Sequence, residues 1–310
     1  MKYSVSPELY DQSLPQITTA TSVVTKYLEK TPLKGDEIII DAACGTGRLA
    51  EFLGKHLSSG HVLGLDNAEN MIEYAKGHHA SDNVKFQLED LTILNSSQRK
   101  SADLIICSWA VSHIQMKQQK AFTNNLYQYL KKEGHLIVLF PVMGSTLSSI
   151  IQEIAKAEKW QKYFREFNSK RMTFTVKEYD ELLRQSGFIN TAVQTKVENL
   201  MFSNRDELDC FVTTAVARYL PYLEELTLHQ DFIKDVSDLY QRKIGETEDG
   251  IPYTMTILFA IAKRPKLSCL LEKSSPIYQK KERLVEKLLS QKAEHATYES
   301  DDMSRQCKGV

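Results

Sequence analysis

Three carboxylates and two glycines at the ends of short apolar runs are the residues of this sequence best placed to do chemistry. In IIIDAACGTGRLAEFLG, residues 38–54, an apolar run carries Asp41 and then turns through Gly45 and Gly47 into a helix pattern. A strand–glycine–helix turn sets backbone N–H groups and a helix N-terminus beside a ligand. The glycines remove the Cβ atoms that would block its approach. Asp66 closes the next apolar run, HVLGLD, Asp90 follows FQLE, and Ser108 ends ADLIICS. His113 comes shortly after, and Tyr10 and Gln16 lie near the start in PELYDQSLPQ. The five cysteines (Cys44, Cys107, Cys210, Cys269 and Cys307) show no metal-ligand spacing, and no metal is expected. Their odd number suits free thiols in a reducing compartment, with Cys44 and Cys107 as small buried fillers.

Two cofactor classes use such a turn. Gly45-Thr46-Gly47-Arg48-Leu49-Ala50 satisfies the G-x-G-x-x-G/A pattern of nicotinamide and flavin dinucleotides, and Asp66 follows at a separation suited to a ribose hydroxyl. Asp41 separates the classes. A dinucleotide brings an anionic pyrophosphate to the turn, and a carboxylate at the end of the same strand opposes it at a cost on the order of a few kcal/mol. S-adenosylmethionine has no phosphate and carries a sulfonium and an ammonium, which Asp41 complements.

The elements that must position these residues alternate. EIIIDAAC reads as a buried strand, TGRLAEFLGKHL as a helix with Leu49, Phe52, Leu53 and Leu57 on one face, and HVLGLD as a second strand. NAENMIEYAKGH is a helix with Asn67 as candidate N-cap. NVKFQLED and ADLIICSWA are further strands, QMKQQKAFTNNLYQYLKKEG a helix closed by Gly134, and HLIVLF a fifth strand. Strands alternating with helices predict a parallel sheet, and their continuous apolar character predicts cover on both faces. After Pro141 the rhythm breaks. A long helix over 145–167, a helix ending near Gly187, a strand in NTAVQTKVENLMF, helices near 204–220 and 228–244, and a last core strand ending at Pro265 are expected.

DAACGTG resembles the first motif of class I S-adenosylmethionine-dependent methyltransferases, with Ala43 where a glycine is common. Asp66 in VLGLDNAENMIEYA matches the acid that binds both ribose hydroxyls. Asp90 in FQLEDL matches the acid on the adenine amino group, with Leu91 beside the ring, and Ser108 the strand end lining the methionine portion. Ala43, Cys44, Asn67, Met71 and Trp109 fall on the cofactor side of the same motifs. The implied fold is α/β: a Rossmann-like, seven-stranded, mostly parallel sheet with helices on both faces and a helical lid insertion. Over about residues 7–265 the chain also resembles juvenile hormone acid methyltransferases and, more weakly, trans-aconitate methyltransferases, both of which methylate carboxylates. Gln16 and His113 match residues around the acceptor acid, while Ile114 stands where a tryptophan is expected. Tyr10 and the Lys-Trp pair ending at Trp160 match further family positions. The resemblance thus implies Gln16 and His113 as catalytic, and Tyr10, Gln16, His113 and Trp160 as acceptor-binding.

A methyltransferase domain is expected over 1–265: a cap over 1–36, a core over 37–141, and helical insertions at 142–175 and 204–244. A polar extension follows over 266–310. Its amphipathic YQKKERLVEKLLSQK suits a solvated helix, partner binding, membrane association or a secretion-system address. Charge is balanced at 39 Lys+Arg against 40 Asp+Glu, which argues against a nucleic-acid partner. No signal-peptide h-region opens the chain and no apolar run is long enough to span a bilayer, so a cytoplasmic protein is expected, with non-classical secretion left open. The expected acceptor is a small apolar carboxylic acid. A phenol, such as a quinone precursor, an amine, a macromolecule, or S-adenosylmethionine binding without catalysis are the alternatives.

Overall fold

Apolar residues repeated at every position, rather than every second one, decide the centre of this fold. β1 (Ile38–Ala42), β2 (His61–Asp66), β3 (Val84–Leu88), β4 (Ala102–Ser108) and β5 (Leu130–Pro141) all run parallel. Side chains alternate across the sheet. Ile39, Ile106, Ile137 and Leu139 enter one core, while Ile40, Ile105, Leu136 and Val138 enter the other. The computed structural model describes residues 5–142, 144–167 and 173–266.

The seven strands are ordered β3-β2-β1-β4-β5-β7-β6. β7 (Ile251–Lys263) runs antiparallel between β5 and the edge strand β6 (Ile189–Phe202). The sheet is therefore mostly parallel with one reversed strand, as the resemblance implied. α2 (Leu14–Lys30), α3 (Arg48–Gly54) and α4 (Glu69–His78) pack on the first core, and α5 (Met116–Tyr129) and α8 (Val176–Gln185) on the second. α8 opens with a reciprocal cap between Thr175 and Glu178. The short α1 (Pro7–Asp11) precedes α2.

Two expected boundaries move. The helix read as closing at Gly134 ends at Tyr129, and β5 begins at once. The cause lies far along the chain. Buried Arg264 donates through Nη1 to the carbonyls of Tyr127 (2.8 Å), Gln128 (3.2 Å) and Leu130 (2.6 Å), capping the helix with a cation. The left-handed turn then falls on Glu133, with φ 67°. The long helix expected over 145–167 divides at the extended Ala157 into α6 (Thr146–Lys156) and α7 (Glu158–Gln161). These join α9 (Arg205–Val216) and α10 (Leu226–Ile244) around an aromatic cluster of Trp160, Phe164, Tyr219 and Phe232. Contacts divide the chain after Arg264. The amphipathic segment at 278–292 lies outside the described residues.

Candidate active site

The parallel strands stop together, so the residues that follow β1, β2, β3 and β4 form one row. Ala42 pairs with Leu65, Asp66 with Leu88, and Ser108 with Leu139. At the head of the row the chain folds tightly. The Cys44 amide donates to Leu65 O (3.0 Å) and the Gly47 amide to Cys44 O (3.0 Å). Ala43, Gly45 and Gly47 all take positive φ, of 60°, 54° and 93°. A Cβ at Gly47 would stand 2.5 Å from Phe86 Cζ, so only glycine fits there. Ala43 adopts the left-handed conformation its Cβ disfavours.

Asp66 is oriented by two backbone donors, Gly45 N–H to Oδ2 and Ala68 N–H to Oδ1, both at 2.9 Å. Each oxygen keeps a lone pair for a further donor. Burial raises its pKa, offset in part by those amides. α4 starts from Ala68, so Asn67 is not its N-cap; Asp66 bonds the first free amide instead. Asp90 accepts from Thr92 N–H and Oγ1 through Oδ1, which leaves Oδ2 to accept from another donor. Met71 and Leu91 are buried below this row, and Ser108 is half-buried at the end of β4.

Asp41 is the unusual member. Its carboxylate is buried and neither oxygen has a hydrogen-bond partner. Burial first, and the neighbouring Asp66 second, raise its pKa to about 7, with the Ala50 amide lowering it only in part. The same two acids and burial push the Cys44 and Cys107 thiols up, away from nucleophile chemistry. An orphaned carboxylate beside a glycine turn fits a cationic ligand and opposes an anionic one. The residues present therefore fit S-adenosylmethionine.

The N-terminal segment closes over this row. Tyr10 Cε1 lies 3.2 Å from where a Gly45 Cβ would be. α1 is fastened by His79, whose ring nitrogens face Glu51 Oε2 (2.7 Å) and Asp11 Oδ1 (3.1 Å). Arg48 also donates to the Asp11 carbonyl. Beyond Tyr10 opens a narrow cleft of about 80 Å³. Gln16, His113, Trp109 and Tyr10 line it together with residues of α6 and α9 and the start of β7. Gln16 is held on both sides, accepting from Ser13 Oγ and donating to Thr214 Oγ1 at 3.0 Å, with a second amide N–H left to give.

Trp160 is not on this lining. It is fully buried, its indole N–H donates to Asp235 Oδ2 (2.8 Å), and Phe232 packs against its ring. It anchors the helical layer, which corrects its expected place against the acceptor. Two cleft residues carried no local signal: Arg218, just past the end of α9, and Tyr253 on β7. Only the approach of α9 and β7 to the strand ends brings them in. Among the described residues no group of His, Cys, Asp and Glu is arranged to hold a metal, and no helix is long and apolar enough to cross a membrane.

Residues 33–200 match a family model described as a methyltransferase domain. Protein 235L of Invertebrate iridescent virus 6, which carries the name methyltransferase, is 25% identical over 231 residues, covering 74% of this chain and 83% of that protein. The juvenile hormone acid O-methyltransferase of Bombyx mori is 24% identical over 235 residues, covering 73% of this chain and 82% of that one. A solved structure from Bacillus halodurans C-125 that carries the name methyltransferase superposes with a TM-score of 0.52 at 16% identity, covering 79% of this chain and all of the other, a likeness of fold.

Proposed function

The chain belongs to the methyltransferase domain family, its methyl donor is S-adenosylmethionine, and we propose that it methylates the carboxylate of a small acid. The observation that carries this reading is the charge of the cleft. Its described lining holds Arg218, His113 and Gln16 and no Asp or Glu, which supports a carboxylate over an ammonium as the acceptor. The similarity to an acid O-methyltransferase supports the same acceptor class. On this reading the domain spans residues 1–265, with the layer of α6, α7, α9 and α10 as its lid.

S-adenosylmethionine, when bound, supplies a methyl group on a positively charged sulfur. Asp41 balances that charge. Gly45 and Gly47 let the turn approach, Asp66 accepts from the ribose hydroxyls, and Asp90 Oδ2 accepts from the adenine amino group. Ala43, Cys44, Asn67, Met71, Leu91 and Ser108 complete the cofactor row. A carboxylate is already ionised at neutral pH, so no protein base is needed. Gln16 and His113 hold one acceptor oxygen toward the methyl while Tyr10 closes the side wall. Such positioning lowers a barrier by several kcal/mol. Bound S-adenosylmethionine would supply the methyl group, and a carboxylate acceptor would need no proton taken up by the chain.

Labelled methyl transfer to a panel of carboxylic acids tests the reading. Methyl incorporation should be released by mild base, as an ester is, and turnover at saturating S-adenosylmethionine should be flat from about pH 6 to 9. Gln16→Ala and His113→Ala should each lower turnover about 10–100-fold, as expected for one lost donor, with cofactor affinity retained. Base-stable product, or a rate climbing tenfold per pH unit, would identify a phenol or amine acceptor with His113 as its base.

A further inference from the structure

Trp109 packs in part against the first core, yet it joins a left-handed backbone to a buried donor without a partner on the cleft. It follows Ser108 at the end of β4, and its backbone N–H donates to Leu139 O at 2.8 Å. Its φ is 63°, a left-handed conformation that a bulky L side chain rarely adopts. That backbone turn sets the ring on the cleft lining beside Tyr10, Gln16 and His113. The indole Nε1 is buried, yet no described group accepts its hydrogen.

The chain shows elsewhere how it treats an indole that serves only packing. Trp160 Nε1 is given a carboxylate, Asp235 Oδ2, at 2.8 Å. A buried N–H left without an acceptor is a standing cost. Strained backbone and an orphaned donor meeting at one residue on a cleft mark a place where a ligand completes the structure.

We infer that the Trp109 indole N–H donates to the acceptor's carboxylate, to the oxygen that does not take the methyl; this rests on the ester reading above. The indole is a donor only and is not acidic at working pH. It can therefore fix the plane of the carboxylate without withdrawing its charge as a fixed cation would. Bulk water does not reach the Nε1 atom. An acceptor oxygen reaches the donor only as the side chains that cover Nε1 move aside, which suits a nucleophile that must lose its own water. Trp109 thereby moves from the cofactor side, where its motif put it, to the acceptor side.

The two tryptophans of the chain make the test internally controlled. Protein labelled with 15N at its indoles and saturated with S-adenosylhomocysteine is titrated with octanoate, laurate and benzoate. The Trp109 N–H signal should move downfield with an acid that is esterified, while that of Trp160, already bonded to Asp235, stays in place. Trp109→Phe keeps an aromatic side chain, smaller than the indole, and removes the donor. It should lower turnover about 10–100-fold and keep S-adenosylmethionine affinity within about twofold. A Trp109 signal unmoved by an esterified acid, or full turnover in the variant, overturns the inference and leaves the ester reading standing. A fall in cofactor affinity that accounts for the loss places the ring on the cofactor and also overturns it. No ester from any acid with the wild-type chain overturns both.

Discussion

Asp41→Asn should separate stability from cofactor affinity, because the unliganded fold keeps a carboxylate where it cannot comfortably be ionised. The Asp41 pKa rises from 3.8 to about 7 on folding. At about 1.4 kcal/mol per unit, the ionised form is disfavoured in the fold by about 4 kcal/mol. The sign follows from linkage: a raised folded pKa gives stability that is full below the unfolded value and lost as pH rises through the folded one. The wild-type chain should therefore lose stability between about pH 4 and 7 and level off above. Asparagine removes the charge but leaves an amide without partners, which costs about 1–3 kcal/mol. At pH 8 the variant should be more stable by about 1–3 kcal/mol. The pH dependence of the difference is the cleaner readout, because the amide's cost does not titrate. Urea unfolding of both proteins without cofactor, from pH 5 to 9, measures it. S-adenosylmethionine should erase the gap in the wild-type chain by restoring the ion. Calorimetry in two buffers at pH 7 should then show about half a proton released on binding, and none in the variant, whose affinity falls. Parallel loss of stability in the two proteins between pH 5 and 8 would show that Asp41 is already paired, and would refute the reasoning.

Ala43→Gly relieves a left-handed alanine worth about 1–2 kcal/mol against about 0.5–1 kcal/mol of added chain entropy, so urea unfolding should show a net gain of about 0.5 kcal/mol; a loss of that size would mean the Cβ packs more than it strains. Trp160→Phe loses its bond to Asp235, a half-exposed carboxylate also held by Lys159 at 2.9 Å, and leaves a cavity at a fully buried site; it should cost about 2–4 kcal/mol in thermal unfolding. The acceptor KM should not change, and a rise in it would return Trp160 to the substrate.

The strand-end row was legible because its information is local. A strand buried on both faces must be apolar throughout, and Asp41, Asp66 and Asp90 interrupt such runs where a strand stops. The first five strands, their order of use and the glycine turn follow from that contrast. The reversed β7 was legible as a strand, but its direction comes from pairing with β5 and β6. The helix ends were not legible where a distant group decides them: nothing near Tyr129 announces that Arg264 will cap it. The cleft was the least visible part. Gln16 bonds Thr214, 198 residues away, and Arg218 lies in AVARYLPY, a stretch with no motif. Trp109 could be placed on the right strand end, but its positive φ, which selects the side its ring takes, leaves no trace in residue type.

The fastening of α1 has a consequence for the order in which the protein is built. Leu9 O accepts from Cys210 Sγ, Gln16 donates to Thr214, and Asp11 meets Arg48 and His79. Synthesis delivers this segment ahead of two of its anchors, Cys210 and Thr214, which follow it by about 200 residues. Closing loops of that length carries an entropy cost that must be met before the contacts return anything. The parallel strands, whose partners lie close in sequence, can pair earlier. The opening residues should therefore dock late in folding, onto a sheet already formed, and Gly45 stays uncovered until they do.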